Sequence, residues 1–402
     1  MSGNGPAGGS ALADSGSRAF DLPQLSRVLY GPKALSQVSL EVERSSCRRV
    51  LLVTNPATYR RTDVPERLRD ILGSALVGVF PEAGAHVPLA TVEAATAMAK
   101  ERGADLVVSV GGGSAVDCAK AVALCAPQET SASAALARHE VHGGDAAGHR
   151  PLPHIAVPTT LSAAEYTPTF TVTMPDGAKV MYHHPDITSR TVVLDSSVAR
   201  NTPAWLWSAT GARAVDHCVE WFLSRAHMPF TDALVVRALE MLWRSLPAVA
   251  ENPDDLDARQ EGQLAAWMSV FGSTNVLGGL SHAIGHQLGS HTGMLHGHTT
   301  CVILPHVLEF NAPAAQDRLA RLAEVVGVRD GDGAHTAQAF VEGLRGLFRR
   351  LGLPSTISEA TDSAVDVASI GDAVMTEIAI ANNPREVTRD DVQAILEKAL
   401  GA

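Results

Sequence analysis

The chain has 402 residues, 46% of them hydrophobic, enough for two or three domains with large cores. Its formal net charge is −11 and its basic residues gather in nothing longer than pairs, which argues against a nucleic-acid-binding surface. Five scattered cysteines without a CxxC pair argue against a thiolate metal centre and suit a reducing, cytoplasmic compartment, and no apolar run is long enough to span a bilayer.

Residues 1–19, rich in Gly, Ser and Ala, read as a disordered tail and not as a signal peptide. From 20 to 197 the pattern is strand, helix, strand. Residues 49–54 (RVLLVT), 75–80, 105–110 (DLVVSV), 154–157 and 190–194 read as short buried strands, with helices at 64–72, 90–102 and 115–125 between them. Such alternation predicts a parallel sheet covered on both faces. Residues 128–150 are polar and rich in small residues, a long loop. Residues 170–174 and 179–183, joined by Pro175-Asp176-Gly177, form a hairpin.

GGGSAVDCAK (111–120) sits between a strand and a helix. Glycines there let the backbone approach a pyrophosphate, and the new helix N-terminus offers free N–H groups, although the run is not the GxGxxG fingerprint. Thr159 and Thr160 follow a second strand end and reach the same ligand, or simply cap that strand.

After Asp195 the strands stop. Helices are expected at 205–224, 230–250, 257–276, 279–288, 299–311, 313–326, 334–351 and 391–400, so residues 198–402 make an all-helical domain. Asp257, Thr388 and Asp390 stand at helix starts, and Pro313 suits a first helical position. Within that half, residues 280–311 hold His282, His286, His291, His296, His298 and His306, out of 16 histidines in the whole chain. His282 and His286 share a helical face, and a glycine-broken turn at 289–295 can swing His296 back toward them. Imidazoles converging in an apolar domain suit a metal site or a proton-handling site. A ligand would lie between the two domains, at the carboxyl ends of the parallel strands.

With these pieces in order, the chain resembles the iron-containing (group III) alcohol dehydrogenase superfamily from about Arg27 to Leu400. The resemblance rests on GGGSAVDCAK (111–120), PTTLSAAEYTP (158–168), ATGARAVDHCVE (209–220) and HAIGHQLG…LHG…LPHVLEFN (282–311). PEAGAHVP (81–88), the short loop after Pro158, and NPDDLDAR with Trp267 following are most similar to its maleylacetate reductase-like branch. The resemblance implies a Rossmann-like α/β domain followed by an all-α domain, the dehydroquinate synthase-like fold. It also implies hydride transfer between NAD(P)H and a carbonyl or alcohol, and a homodimer. It puts Gly111, Gly112, Gly113 and Ser114 on the pyrophosphate, with Asp117 in the same segment. Thr159, Thr160 and Ser162 flank the nicotinamide ribose and phosphates, with Lys179 nearby. Asn55, at the end of the strand of residues 49–54, stands where an acid would grip the ribose of NAD.

Typical members hold iron or zinc through an Asp and three His. The histidines correspond to His217, His282 and His296, and His286 to a proton carrier beside the reacting carbon. The position of the Asp is Arg213, whose guanidinium repels a cation. Asp216 lies on another part of the helix and is a poor replacement. The expectation is a metal-independent reductase of a carbonyl or conjugated enone or oxo-acid, with Arg213 and the histidines stabilising the developing oxyanion and His286 delivering the proton. Arg213 can equally grip a substrate carboxylate, or make a mere helix-surface pair with Asp216. The alternatives are a metal-dependent alcohol dehydrogenase using His217, His282 and His296, and a dehydratase, cyclase or binding protein on the same fold.

Overall fold

A computed structural model of the chain describes residues 19–140 and 150–401. The expected N-terminal tail and part of the expected loop at 128–150 lie outside the described residues; a short helix, Ala132–Leu136, occupies the near end of that loop.

Eight strands are described. β1 (Arg27–Tyr30), β2 (Val50–Thr54), β3 (Leu76–Phe80), β4 (Leu106–Gly111), β5 (His154–Pro158) and β8 (Thr191–Leu194) form one parallel sheet in the order β1-β8-β5-β4-β2-β3. β6 (Thr169–Thr173) and β7 (Lys179–His183) pair antiparallel as the expected hairpin. The sheet is buried on both faces. Leu51 and Val53 of β2 enter one apolar cluster with the helix Gly113–Cys125, while Val50 and Leu52 enter another with Val38, Leu68 and Val193. That two-sided burial is why β2 and β4 carry runs of aliphatic residues instead of alternation. β1 was not expected from the sequence. It is a four-residue edge strand with exposed ends, too short to show a period.

From β2 the chain steps outward to β3 and then back across β2 to β4. The strand order therefore reverses between β2 and β4, and the segments beginning at Asn55 and Gly112 line the crevice that such a reversal opens.

The second half is helical. Helices at Ala204–Leu223, Pro229–Glu251, Leu256–Val270, Leu280–Thr292, His296–Val326, Ala337–Arg350 and Arg389–Leu400 correspond to the expected set, with ends moved by a few residues. Two starts differ. The cap of the third is Asp255, whose side chain accepts from Ala258 N, and not Asp257. Pro313 lies two residues before a non-helical break at Ala315, so the two expected helices meet at that kink and Pro313 belongs to the end of the first. Thr388 does cap the last helix, in a capping box with Asp391. Short helices at Ile357–Ala360 and Val367–Val374 were missed because four to eight residues carry too little periodicity.

Arg259, fully buried, pins the loop after β8 to the helices of the second half. Its guanidinium and Nε donate to the carbonyls of Ala199, Thr202 and Pro253, and it lies 4.8 Å from the centre of the Trp207 ring. Gln263 adds a bond to Pro158 O at the end of β5.

Candidate active site

The phosphate loop is shaped by close approach. Gly111 has φ of 147°, a conformation that side chains rarely adopt, and a Cβ there would meet Asn55 Nδ2 at 2.7 Å. A Cβ on Gly112 would meet Thr160 Cγ2 at 3.0 Å, and one on Gly113 would meet Ser162 Oγ at 3.1 Å. The three glycines, Thr160 and Ser162 thus form one cradle. Gly112 gives the helix Gly113–Cys125 no side-chain cap, so the first N–H groups of the helix, Ser114 included, remain available to an anion. A dinucleotide pyrophosphate fits this cradle.

Some expected cofactor residues have other bonds. Asn55 Oδ1 caps its own helix by accepting from Thr58 N at 2.9 Å. Asp117 Oδ2 accepts from Thr171 N of β6 at 3.2 Å, and burial pushes its carboxyl up to about 6. Thr159 N donates to Gly111 O, and its carbonyl accepts from Thr202 Oγ1 at 2.7 Å, so this residue stitches β4, β5 and the loop after β8. Lys179 opens β7, half-buried, and burial lowers its pKa. Lys120 turns inward. It donates to the carbonyls of Ala164, Thr167 and Thr169, and burial lowers its pKa to about 8.

The second cluster is built on the helix Ala204–Leu223, where Arg213, Asp216, His217 and Glu220 fall at spacings of three and four and so share one broad face. Gly297 permits the partner helix to press against it, since a Cβ there would lie 2.0 Å from Ala209 O. That contact brings Thr300 Oγ1 to Asp216 Oδ2 at 3.1 Å. The rings of His217 and His282 stack at 5.2 Å between centres, His282 and His286 stand 6.2 Å apart, and His286 and His296 5.8 Å apart. Trp221 closes the inner end against His217 and His282. His291, His298 and His306 take no part: His291 Nδ1 bonds Gln287 O, and His306 faces Glu309.

Arg213 lies inside this row. Its Nη1 donates to Asp216 Oδ2 at 3.0 Å, and its Nη2 stands 3.4 Å from His286 Nε2. The pair with Asp216 is not the helix-surface contact that spacing alone suggested, for Asp216 is fully buried. Nor does Asp216 face away from the site: its Oδ2 is also 3.5 Å from His282 Nδ1. Burial, joined by the Arg213 charge, holds His217, His282 and His296 well below the usual imidazole range, so all three are neutral at physiological pH. His296 is solvent-exposed on one side while protein crowds the other. His286 is also open to solvent, at 32% side-chain exposure, and its Nδ1 is 3.9 Å from Glu377 Oε2.

Glu220 escaped the sequence reading. Its carboxylate accepts from the backbone N–H groups of Gly279, Ser281 and His282, at 3.0, 2.7 and 3.0 Å, and so caps the helix Leu280–Thr292 from outside. It also accepts from His282 Nδ1. Burial raises its pKa and the three N–H groups pull it back. Its four-residue distance from Asp216 was visible, but its partners lie about sixty residues further on.

An iron-type metal site needs convergent free donors. Among the described residues, the one group of three metal-capable side chains with donor atoms within 4.8 Å of one another is Asp216, Glu220 and His282. Glu220 already has four donors, and Asp216 Oδ2 already bonds Arg213 and Thr300. His217, His282 and His296 do not form such a group, and a guanidinium stands among them. These residues do not fit a metal held in the usual way. His217 Nδ1 and His282 Nε2 are buried without a hydrogen-bond partner among the described residues. Such orphans are costly, so two on stacked rings mark where a polar molecule belongs.

Two family models match the chain, iron-containing alcohol dehydrogenase over residues 25–196 and the C-terminal Fe-containing alcohol dehydrogenase family over 208–400. The chain belongs to the iron-containing alcohol dehydrogenase family. It is similar to maleylacetate reductase 2 of Cupriavidus pinatubonensis, at 31% identity over 93% of this chain and 94% of the relative. It is also similar to 4-hydroxybutyrate dehydrogenase of Cupriavidus necator, at 32% identity over 91% and 96%. Among solved structures, maleylacetate reductase from Agrobacterium tumefaciens matches with a TM-score of 0.79 and 26% identity, over 95% of this chain and 98% of that one. The chain is thus an NAD(P)-dependent oxidoreductase of the maleylacetate reductase-like branch. No described helix is long and apolar enough to cross a membrane.

Proposed function

We propose that this oxidoreductase reduces the carbonyl, or the carbonyl-conjugated double bond, of a small oxo-acid, and that Arg213 takes the electrostatic role that a metal ion has elsewhere in the family. The observation that carries this reading is the Arg213 guanidinium, 12% exposed and set between Asp216 and His286.

Bound in the cradle of Gly111–Ser114, Thr160 and Ser162, NAD(P)H supplies the hydride. Negative charge then collects on the substrate oxygen. Of the five N–H donors on Arg213, one is committed to Asp216 and one faces His286, which leaves donors for that oxygen or for a substrate carboxylate. Asp216 orients the guanidinium, and the neutral rings of His217 and His282 keep water away from it. In its protonated form, with Nε2 turned from the guanidinium, His286 delivers the proton to the oxygen and returns to the neutral ring, and Glu377 beyond its Nδ1 provides a route for replenishment. The donors left on the Arg213 fork match a carboxylate two by two, which favours acidic substrates over simple alcohols.

The reading is supported by relatives named maleylacetate reductase and 4-hydroxybutyrate dehydrogenase, both of whose names denote acids. The test is a panel of oxo-acids, enone acids and neutral carbonyls followed by nicotinamide absorbance, with wild type and Arg213→Ala. Loss of acid turnover in Arg213→Ala, with less effect on neutral carbonyls, is the expected result. Equal turnover of neutral and acidic substrates by wild type would overturn the substrate assignment.

A further inference from the structure

An open cavity of about 810 Å3 is lined by none of the histidines. One wall comes from the segment after β2, with Arg60, Arg61 and Arg67. The other comes from the loop after β8, with Arg200, and from Leu256 at the start of a helical-domain helix. Asp63 is the one acid in the lining. Four guanidiniums against a single carboxylate run counter to a chain whose net charge is −11. Their present partners are exposed and weak: Arg60 to Glu82 at 3.4 Å, Arg67 to Asp63 at 3.9 Å, and Arg200 to Asp254 at 2.7 Å.

The topology relates this cavity to the phosphate cradle. β4 and β5, which end in the glycine loop and in Thr159–Thr160, lie between β2 and β8 in the sheet. The arginines therefore flank the same crevice, on segments that follow the carboxyl ends of the strands. At the end of β2, where NAD enzymes place an acid against the ribose hydroxyls, this chain has Asn55. Its Oδ1 already accepts from Thr58 N and carries no charge, so it holds ribose hydroxyls less firmly than an acid and does not repel a phosphate, and its Nδ2 lies beside Gly111.

We infer that this arginine-lined cavity binds the 2′-phosphate of NADP(H), making NADPH the preferred reductant. The inference rests on the oxidoreductase reading and deepens it. Planar guanidiniums match phosphate oxygens two by two, and a doubly charged phosphate competes well against single carboxylates for Arg200 and Arg67. Arg61 lies in the last turn of the helix that Asn55 caps, about 9 Å along it from Asn55, a distance that the 2′-phosphate and a long arginine side chain can share.

Binding of NADPH, NADH, 2′,5′-ADP, 5′-AMP and inorganic phosphate to the full chain would be measured by titration calorimetry, in wild type, Arg61→Ala and Arg200→Glu. NADPH should bind at least about tenfold more tightly than NADH, and 2′,5′-ADP more tightly than 5′-AMP. Each variant should weaken NADPH at least about tenfold more than NADH. Equal affinity for the two nucleotides in wild type, or variants that weaken both alike, overturns the inference. Inorganic phosphate binding as tightly as 2′,5′-ADP also overturns it, because the cavity would then be a site for free anions. Failure of both nucleotides to bind would instead sink the oxidoreductase reading beneath it.

Discussion

Glu220 Oε2 accepts from both the backbone N–H and the ring Nδ1 of His282, so one carboxylate oxygen fixes the residue at its main chain and at its side chain. A carboxylate can only accept. The proton of the neutral ring is therefore on Nδ1, and Nε2 keeps its lone pair. Nε2 is buried without a partner among the described residues, so what His282 offers a hydroxyl is an acceptor. Glu220→Gln should keep the helix cap in part and lose the tautomer lock. We expect kcat to fall roughly ten- to a hundredfold, as when the partner of a working histidine is removed. Glu220→Asp should recover part of it. Steady-state kinetics with a pH profile checks this. Unchanged kcat in folded Glu220→Gln would reduce Glu220 to a helix cap.

Gly112 is the tightest functional test of the cradle. A valine there brings branched carbons into the space already held by Thr160 Cγ2 at 3.0 Å from the first added atom, and covers the N–H groups of the helix start. Gly112→Val should abolish nucleotide binding while circular dichroism stays native. Ser114→Asp, which adds a repelling charge one residue into that helix, should do the same. Unaltered nucleotide affinity in either variant would place the cofactor elsewhere.

The buried β2 and β4, the glycine loop and the shared face of His282 and His286 were legible because each signal is local: an aliphatic run, a turn composition, a spacing of four. Arg213 was legible as a departure from a pattern. Asp216 was misread because one residue from His217 turns about a quarter of the way round a helix, which seemed to remove it from the site. What returned it is Thr300 and His282, arriving on two other helices. Glu220 was invisible for the same reason. Its meaning lies in three N–H groups some sixty residues away, and no periodicity reports where a distant helix begins. The arginine cavity likewise joins Arg61 and Arg200 across the ends of two strands separated by two others.

Acid should remove the contribution of one buried ring to stability. His154 is fully buried between Ser109 Oγ at 2.8 Å and Ser189 Oγ at 3.0 Å, and burial, aided by Lys120, lowers its pKa to about 3. Its folded pKa thus lies below the unfolded value near 6.5, so the unfolded chain binds the extra proton. Stability from this group is complete above about pH 6.5 and is lost as pH falls toward about 3. Burial raises the carboxyl of Asp117 to about 6 and that of Glu165 to about 7, and these act in the opposite direction over the same window. The His154 contribution is therefore read as a difference. Replacing His154 by Gln should lower the urea midpoint at pH 7, and the gap to wild type should narrow by pH 4. A gap that stays constant across this range would contradict the burial of His154 as a neutral ring.

Arg213 decides the metal question. Three neutral imidazoles can hold zinc on their own, so the lack of the usual Asp does not by itself exclude an ion. The decisive feature is charge. A guanidinium at about 4 Å from a divalent ion costs several kcal/mol even at an effective dielectric near 20, enough to offset much of a three-histidine site. Arg213 is not free to swing aside without loss, because its Nη1 bond to the fully buried Asp216 would be broken. Losing that charge-assisted bond costs about 1.5–3 kcal/mol, with Thr300 still bonded to the carboxylate. The purified protein should therefore carry no stoichiometric iron or zinc, and chelators should leave its activity intact. Arg213→Asp reverses the sign at that position. It should admit a divalent ion, seen by elemental analysis and by a metal-dependent rise in melting temperature, and it should impair reduction of acidic substrates. Arg213→Lys keeps the charge but loses the fork, so it should retain metal exclusion while kcat/KM falls about ten- to a hundredfold. Stoichiometric metal in the wild type, with activity lost to a chelator and restored by adding the ion, would return the chain to the metal-dependent members of its family.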